Sequence, residues 1–435
     1  MARSYDLTSG IIPPHLLRLA APLIMGNILQ QLYNTVDAFI LGRFAGDLEF
    51  AAVGVAGSVM NLFLFMITGA CTGISVIFAQ LYGAGERERF RREHWLSLSC
   101  GLLVTLACSG LGFLLLSPLL RLIQTPSELK TFVSVYLTII LASLPAAFLY
   151  NLYGALLRAI GRANAALMVL AAAVTVNVAL DYCFVARFQL GIAGAAWATA
   201  ASQAISAVLC ILYLRRKAPE LIFARADCRM DGELLKQTAH FSFVTALHQS
   251  SLYIGKLLVQ GAVNTGGTDM ISAYTATTRI EGFANSFGDS GSAATSVLVA
   301  QNRGAGKEER VKESFRSSLF LMLAMGLAMG LAMSLIMYVS ASTSVGFMLG
   351  TRSGAAFENA RDYLKLVALF YTLCFTGSTF AGYFNGIGKV PVPFLGATSH
   401  IALRVVLSWL LVNALWTFVK WRMEKKQKAA ERDIM

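Results

Sequence analysis

Long apolar runs alternate with short polar clusters along the whole chain. The runs cover approximately residues 16–41, 50–80, 95–118, 130–157, 164–186, 191–214, 239–264, 270–301, 315–340, 359–386 and 391–419. A membrane-crossing helix needs about 20 consecutive, mostly apolar residues, so the pattern predicts eleven spanning helices. The charged stretch 217–237 is the longest polar interval. It separates six predicted spans from five.

The basic residues orient these spans. With the N-terminus in the cytoplasm, Arg87, Arg89, Arg91, Arg92, Arg158, Arg162, Arg215, Arg216, Lys217, Arg303, Lys307, Arg310 and Lys312 all fall on the cytoplasmic side. Cytoplasmic loops carry just such an excess of Lys and Arg. Composition agrees: 56% of residues are hydrophobic and 14% charged, against about 25% charged in a soluble domain. A soluble enzyme, a disulfide scaffold and a disordered chain are excluded. The net charge of +12 lies in clusters between apolar runs rather than on one face, so nucleic acid is not an expected partner. Most of the seven cysteines sit inside apolar runs without metal-ligand spacing, and no structural metal or cofactor is expected. The N-terminus lacks a basic segment followed by a small-residue cleavage site, so the first span is expected to be retained.

The two halves resemble each other. Ala79-Gln80-Leu81-Tyr82-Gly83-Ala84-Gly85 recurs as Ala300-Gln301-Asn302-Arg303-Gly304-Ala305-Gly306, and Arg158-Ala159-Ile160-Gly161-Arg162 recurs as Asn385-Gly386-Ile387-Gly388-Lys389. Each copy falls at the cytoplasmic end of a corresponding span, so the repeats are parallel. Parallel repeats around a central cavity are a transporter architecture. The expected fold is an all-α polytopic membrane protein of two pseudo-repeated lobes. Residues 1–216 form the N-terminal lobe, 217–237 a cytoplasmic linker and 238–435 the C-terminal lobe. Aligning the repeats places Trp421 to Lys428 at the end of a twelfth span whose body is largely missing.

Polar groups inside the spans are functional candidates, because an ionisable side chain there costs about 2.5–3.5 kcal/mol on insertion scales. Asp37 and Asp181 each lie about five residues before the outer ends of the first and fifth spans, roughly 7–8 Å deep. Asn177 stands one turn before Asp181 on the same face. Gln30, Tyr33, Asn34 and Asp37 draw a polar stripe on the first span. Tyr136, Asn151 and Thr199 are further candidates to line an N-lobe cavity. The second half carries Lys256 near the repeat equivalent of Asp37, with Arg279, Glu281, Asp289 and Arg404. His240 and His248 read as interior histidines, the methionines from Met322 to Met337 as helix packing, and Glu86 to Glu93 as a solvated charge run. Two carboxylates close together in a low-dielectric cavity tend to share a proton; with Asn177 they equally suit Na+.

These residues resemble the multidrug and toxic compound extrusion (MATE) family, in particular its DinF-like branch. The resemblance rests on Pro22, Asp37, the Gln80–Gly85 turn, Gly161, Asn177 and Asp181. It implies a secondary antiporter exporting organic cations across the cytoplasmic membrane in exchange for H+ or Na+, with two six-helix lobes. It also implies coupling-ion binding at Asp37, Asn177 and Asp181, and a bend of the first helix at Pro22. The NorM-like branch fits less well, since no acid stands mid-way along the tenth span. The alternatives are a flippase or exporter of a lipid-linked or anionic precursor, for which Lys256, Arg279 and Arg404 would supply cationic groups, and a truncated, inactive transporter. An enzyme is not expected, because no HExxH, paired-aspartate metal motif or GxSxG is present. The protein is expected to act as a monomer in the bilayer.

Overall fold

The computed structural model describes residues 7–122, 125–264, 268–324, 357–358, 360–363 and 371–410. The first half contributes α1 (Ile12–Phe44), α2 (Asp47–Ala84), α3 (Arg87–Leu114), α4 (Leu116–Leu122), α5 (Ser127–Ala159), α6 (Ala163–Asp181) and α7 (Gly191–Lys217). The second contributes α8 (Gly232–Asn264), α9 (Thr268–Gly304), α10 (308–324), α11 (Tyr371–Gly386) and α12 (Pro391–Leu410). Among the described residues seven helices are long and apolar enough to cross a membrane: α1, α2, α3, α5, α6 with its extension, α7 and α12. The long α8 and α9 carry Lys256, Glu281 and Asp289 in their interiors. The tail beyond residue 410, the methionines from Met325 onward and the side chain of Arg279 lie outside the described residues.

Local chemistry explains the helix boundaries. Pro13 and Pro14 open α1, where a missing N–H costs nothing and the fixed φ suits a helix. The predicted run 95–118 is divided at Leu115 into α3 and α4. Pro118 has no N–H to give the Leu114 carbonyl, and its ring disfavours helical geometry before it. The run 164–186 is one helix to Asp181 and then widens into a π-helical segment, Tyr182–Arg187; the Phe188 N–H reaches back five residues to Cys183 at 2.8 Å.

The repeat is written into the backbone as four matching turns at one end of the molecule, called here the basic end. Gly85, Gly161, Gly306 and Gly388 take φ of +75°, +77°, +71° and +81°. After each, the next residue's N–H bonds to a carbonyl five positions back: Glu86 to Leu81, Arg162 to Leu157, Lys307 to Asn302 and Lys389 to Phe384, all at 2.8–3.1 Å. This is the glycine-closed helix ending in which a left-handed residue satisfies terminal carbonyls. Corresponding helices of the two halves therefore end alike and on the same side.

The main buried cluster joins α2, α3, α5 and α7 through Phe78, Phe90, Leu96, Leu152, Leu156 and Leu214, and continues into Phe241, Ala300 and Val390 of the second half. Glycines let α2 touch that half backbone to backbone. A Cβ at Gly69 would meet the Thr245 carbonyl at 2.6 Å, and one at Gly73 the Phe241 carbonyl at 2.6 Å. Farther along, Asn27 of α1 donates to Ser290 Oγ of α9 at 3.0 Å, and Tyr253 of α8 to the Ser58 carbonyl at 3.0 Å.

Two readings need correction. The charge run Glu86 to Glu93 is solvated only in part: Glu93 is 0% exposed, accepting hydrogen bonds from Ser97 at 2.5 Å and Thr238 at 2.8 Å. The run coils into α3, where residues three and four apart share a face, and Phe90, Glu93, His94 and Ser97 together form its buried side. His240 is exposed at the start of α8, beside the ring of Phe241. The interior histidine of this region is instead His94, buried between Tyr153 Oη and the Leu221 carbonyl, each at 3.2 Å.

Candidate functional site

The carboxylates predicted on the first and fifth spans come together. α1 packs against α6 with Gly26 facing Leu170, and Asp37 and Asp181 lie within hydrogen-bonding reach of each other. Asp181 is 1% exposed and Asn177, one turn earlier, 2% exposed. Asp181 stands at the last α-helical position before the π-helical segment. Such widened turns occur often at functional sites.

Neighbouring helices finish the enclosure. Tyr33 Oη lies 3.5 Å from Thr199 Oγ1, linking α1 to α7. Tyr136 of α5 is buried with its hydroxyl on the Met60 sulfur at 3.5 Å, and both phenols sit beside the carboxylate pair. Asn177 Nδ2 donates to Ser202 Oγ at 3.5 Å, while Ser202 donates to the Thr199 carbonyl at 2.9 Å. With its nitrogen on Ser202, the Asn177 amide keeps its oxygen without a donor. Sequence reading missed Ser202. Its signal was present, since Ser202 and Ser206 stand four apart in a helix otherwise rich in alanine.

Four oxygens here are buried without a hydrogen-bond donor: Asp37 Oδ1, Asn177 Oδ1, Asp181 Oδ1 and Asp181 Oδ2. Every one is an acceptor, and a buried unsatisfied acceptor costs about 1–3 kcal/mol. A set made only of oxygens fits a proton shared between carboxyls or a hard monovalent cation. It does not suit an anion.

Other predicted residues fall elsewhere. Gln30 and Asn34 are exposed, while Gln31 is the side chain that faces Gly282 of α9. Asn151 contacts Thr68 of α2 and stands fifteen residues beyond Tyr136 on α5, about 22 Å along the helix. It belongs to a different level of the bundle. Pro22 is buried within α1, which continues through it. In the second half, Glu281 lies beside the Tyr363 hydroxyl, with Lys256 and Arg404 within electrostatic reach, as Lys256 is of Asp289. Lys256 and Arg404 are exposed.

The sequence and the fold both have known counterparts. The chain is 26% identical over 412 residues to "Probable multidrug resistance protein YpnP" of Bacillus subtilis, covering 94% of this chain and 88% of that protein. It is 24% identical over 394 residues to "Probable multidrug resistance protein NorM" of Thermotoga maritima, covering 88% and 82%. Among solved structures, an outward-facing multidrug resistance MATE family transporter of the MOP superfamily superposes with a TM-score of 0.86 at 20% identity, over 99% of both chains. A MOP superfamily transporter from Pyrococcus furiosus gives 0.85 at 20% identity, over 95% and 91%. The MatE family profile matches residues 22–183 and 243–410. Both halves of the repeat thus carry one signature, and the protein belongs to the MATE family of membrane transporters.

Proposed function

We propose that the protein is a secondary antiporter that exports organic cations across the cytoplasmic membrane in exchange for H+ or Na+. The observation that carries this reading is the set of four buried, donorless oxygens on Asp37, Asn177 and Asp181. A proton or Na+ entering from outside supplies what these acceptors lack. An organic cation from the cytoplasm competes for the same negative charge, so the two ligands exclude each other, which is the requirement for exchange. α1 carries both Asp37 and Pro22. Loss of the hydrogen bond at a proline leaves a helix easier to bend there, so ion loading at Asp37 is coupled to the shape of α1. The names of the similar Bacillus and Thermotoga proteins support a multidrug substrate range.

In this reading residues 1–216 and 238–435 are the two lobes, 217–237 is the cytoplasmic linker, and the N-terminus and the basic end lie in the cytoplasm. The molecule acts as a monomer without a cofactor. One observation favours a second reading, export of an anionic or lipid-linked precursor: Lys256 and Arg404 gather around Glu281 in the second half.

The test is efflux of a fluorescent organic cation from proteoliposomes under an imposed pH or Na+ gradient, with Asp181→Asn alongside. Gradient-driven efflux abolished by the substitution is expected. Full ion-coupled efflux by Asp181→Asn would sink the coupling role. Efflux inhibited by a lipid-linked sugar but not by organic cations would favour the second reading.

A further inference from the structure

The two Gln-x-x-Gly segments at the ends of α2 and α9 do something the carboxylate site does not require. Gln80 Nε2, in the first half, donates to the carbonyl of Gly386, the last residue of α11, at 3.1 Å. Gln301 Nε2, in the second half, donates to the carbonyl of Ala159, the last residue of α5, at 2.6 Å. Gln80 and Gln301 are equivalent positions of the repeat, and so are Ala159 and Gly386. Each half thus reaches into the other with the same residue and grips the same carbonyl.

The acceptors are the ones the helix endings leave over. At the end of α5 the turn uses the carbonyls of Leu156, Leu157 and Arg158; at the end of α11 it uses those of Tyr383, Phe384 and Asn385. The next carbonyl in each case, Ala159 or Gly386, is an orphan of the helix terminus at the negative end of the helix dipole. Glycine makes the reach short. A Cβ on Gly83 would collide with the Gln301 carbonyl, and a Cβ on Gly304 with the Gln80 carbonyl, so α2 and α9 cross backbone to backbone just where the glutamines stand.

A second tier repeats the exchange. The Leu7 carbonyl, before α1, accepts from Asn302 at 3.3 Å and Arg310 at 3.4 Å of the second half. The connection before α8 is held by the first half, through Arg91 to Asp227 at 2.9 Å and His94 to the Leu221 carbonyl.

We propose that Gln80 and Gln301 form a two-fold latch: positioning residues that hold the basic end closed, and whose simultaneous release opens it to the cytoplasm during transport. Opening needs the α2–α9 crossing to separate, which breaks both glutamine bonds and leaves water to take the freed carbonyls. The latch rests on the transporter reading, yet it is tested without transport.

Spin labels on Glu88→Cys and Glu309→Cys, both exposed beside the crossing, report its width in a cysteine-free background. The unaltered latch is expected to give mainly the short distance. A buried or half-buried hydrogen bond shifts such an equilibrium by about 2- to 12-fold. Gln80→Leu and Gln301→Leu should each raise the ratio of long to short distances by that factor, and the double substitution by about the product. Gln80→Met and Gln301→Met, which keep size but lose the donor, should act like the leucine variants. An unchanged distribution in both single variants overturns the latch, as does a shift in only one, or wild-type behaviour of the methionine variants. Gln301 is almost fully buried; should its variants not fold, an unshifted Gln80→Leu alone overturns the proposal. Efflux lost with no change in distance also counts against the latch and leaves the antiport reading standing. Efflux lost only through Asp181→Asn, with the distances moving as expected, separates the two proposals in the other direction.

Discussion

The Thr238 hydroxyl donates to the Glu93 carboxylate at 2.8 Å, tying the second turn of α8 to a fully buried acid at the start of α3. Ser97 donates to the other oxygen of the same carboxylate. Glu93→Ala removes the acceptor of two buried hydroxyls and leaves a void, so a loss of about 2–4 kcal/mol is expected. Glu93→Gln keeps volume and one acceptor oxygen and should cost about 1 kcal/mol. Thermal unfolding in detergent ranks the two variants; equal midpoints would mean that the carboxylate contributes nothing here.

The Arg91–Asp227 pair gives stability a pH dependence. Burial alone would raise the Asp227 carboxyl, but the Ala224 N–H, the Arg91 guanidinium and the charge of Arg92 outweigh it and hold the group below the ordinary carboxylate range. A carboxyl depressed in the folded state adds stability above its unfolded pKa and loses it as pH falls through the folded value. Asp227→Asn should therefore lower the melting midpoint by about 1–3 °C at pH 7, with the gap closing below pH ~4. A gap that persisted at low pH would contradict the assignment.

Helical glycines should divide sharply by what faces them. Gly73 approaches the Phe241 backbone, while Gly57 has nothing within 4 Å. Gly73→Ala must push α2 away from α8 and is expected to cost about 1–3 kcal/mol. Gly57→Ala should be neutral, or stabilising by about 0.5–1 kcal/mol, because alanine loses less backbone freedom. Detergent melting curves of the two variants check the pair.

Among the described residues Ser202 reaches the proposed ion site through Asn177. Ser202→Ala frees the amide to rotate, and the coupling-ion concentration for half-maximal efflux should rise about 2- to 10-fold with the maximal rate preserved. Ser202→Thr, which keeps the hydroxyl, should restore the affinity. A fall in maximal rate with unchanged ion dependence would assign Ser202 to packing instead.

Much of the architecture was legible because spanning helices depend on local information. A run of about 20 apolar residues commits to a helix in lipid whatever its neighbours do, since its backbone groups find partners only within the helix. Every predicted run contains helix among the described residues, and Pro118 accounts for the break at Leu115. The common level of Asp37 and Asp181 followed equally from counting residues. The burial of Glu93 did not: its fate depends on Thr238, 145 positions away, and no periodicity within the run Glu86–Glu93 encodes that distance.

By itself, then, the sequence determined where most of the described helices run, the parallel repeat and the shared level of Asp37 and Asp181, because hydropathy, proline and glycine act over one or two turns. The tertiary structure decided which groups meet. It brought Asp181 to Asp37 and Ser202 to Asn177, and it left Asn151 at another level of the bundle. It also sent Gln80 and Gln301 across the halves rather than into their own. Those outcomes turn on the packing of one helix against another, where a glycine allows contact and a side chain prevents it.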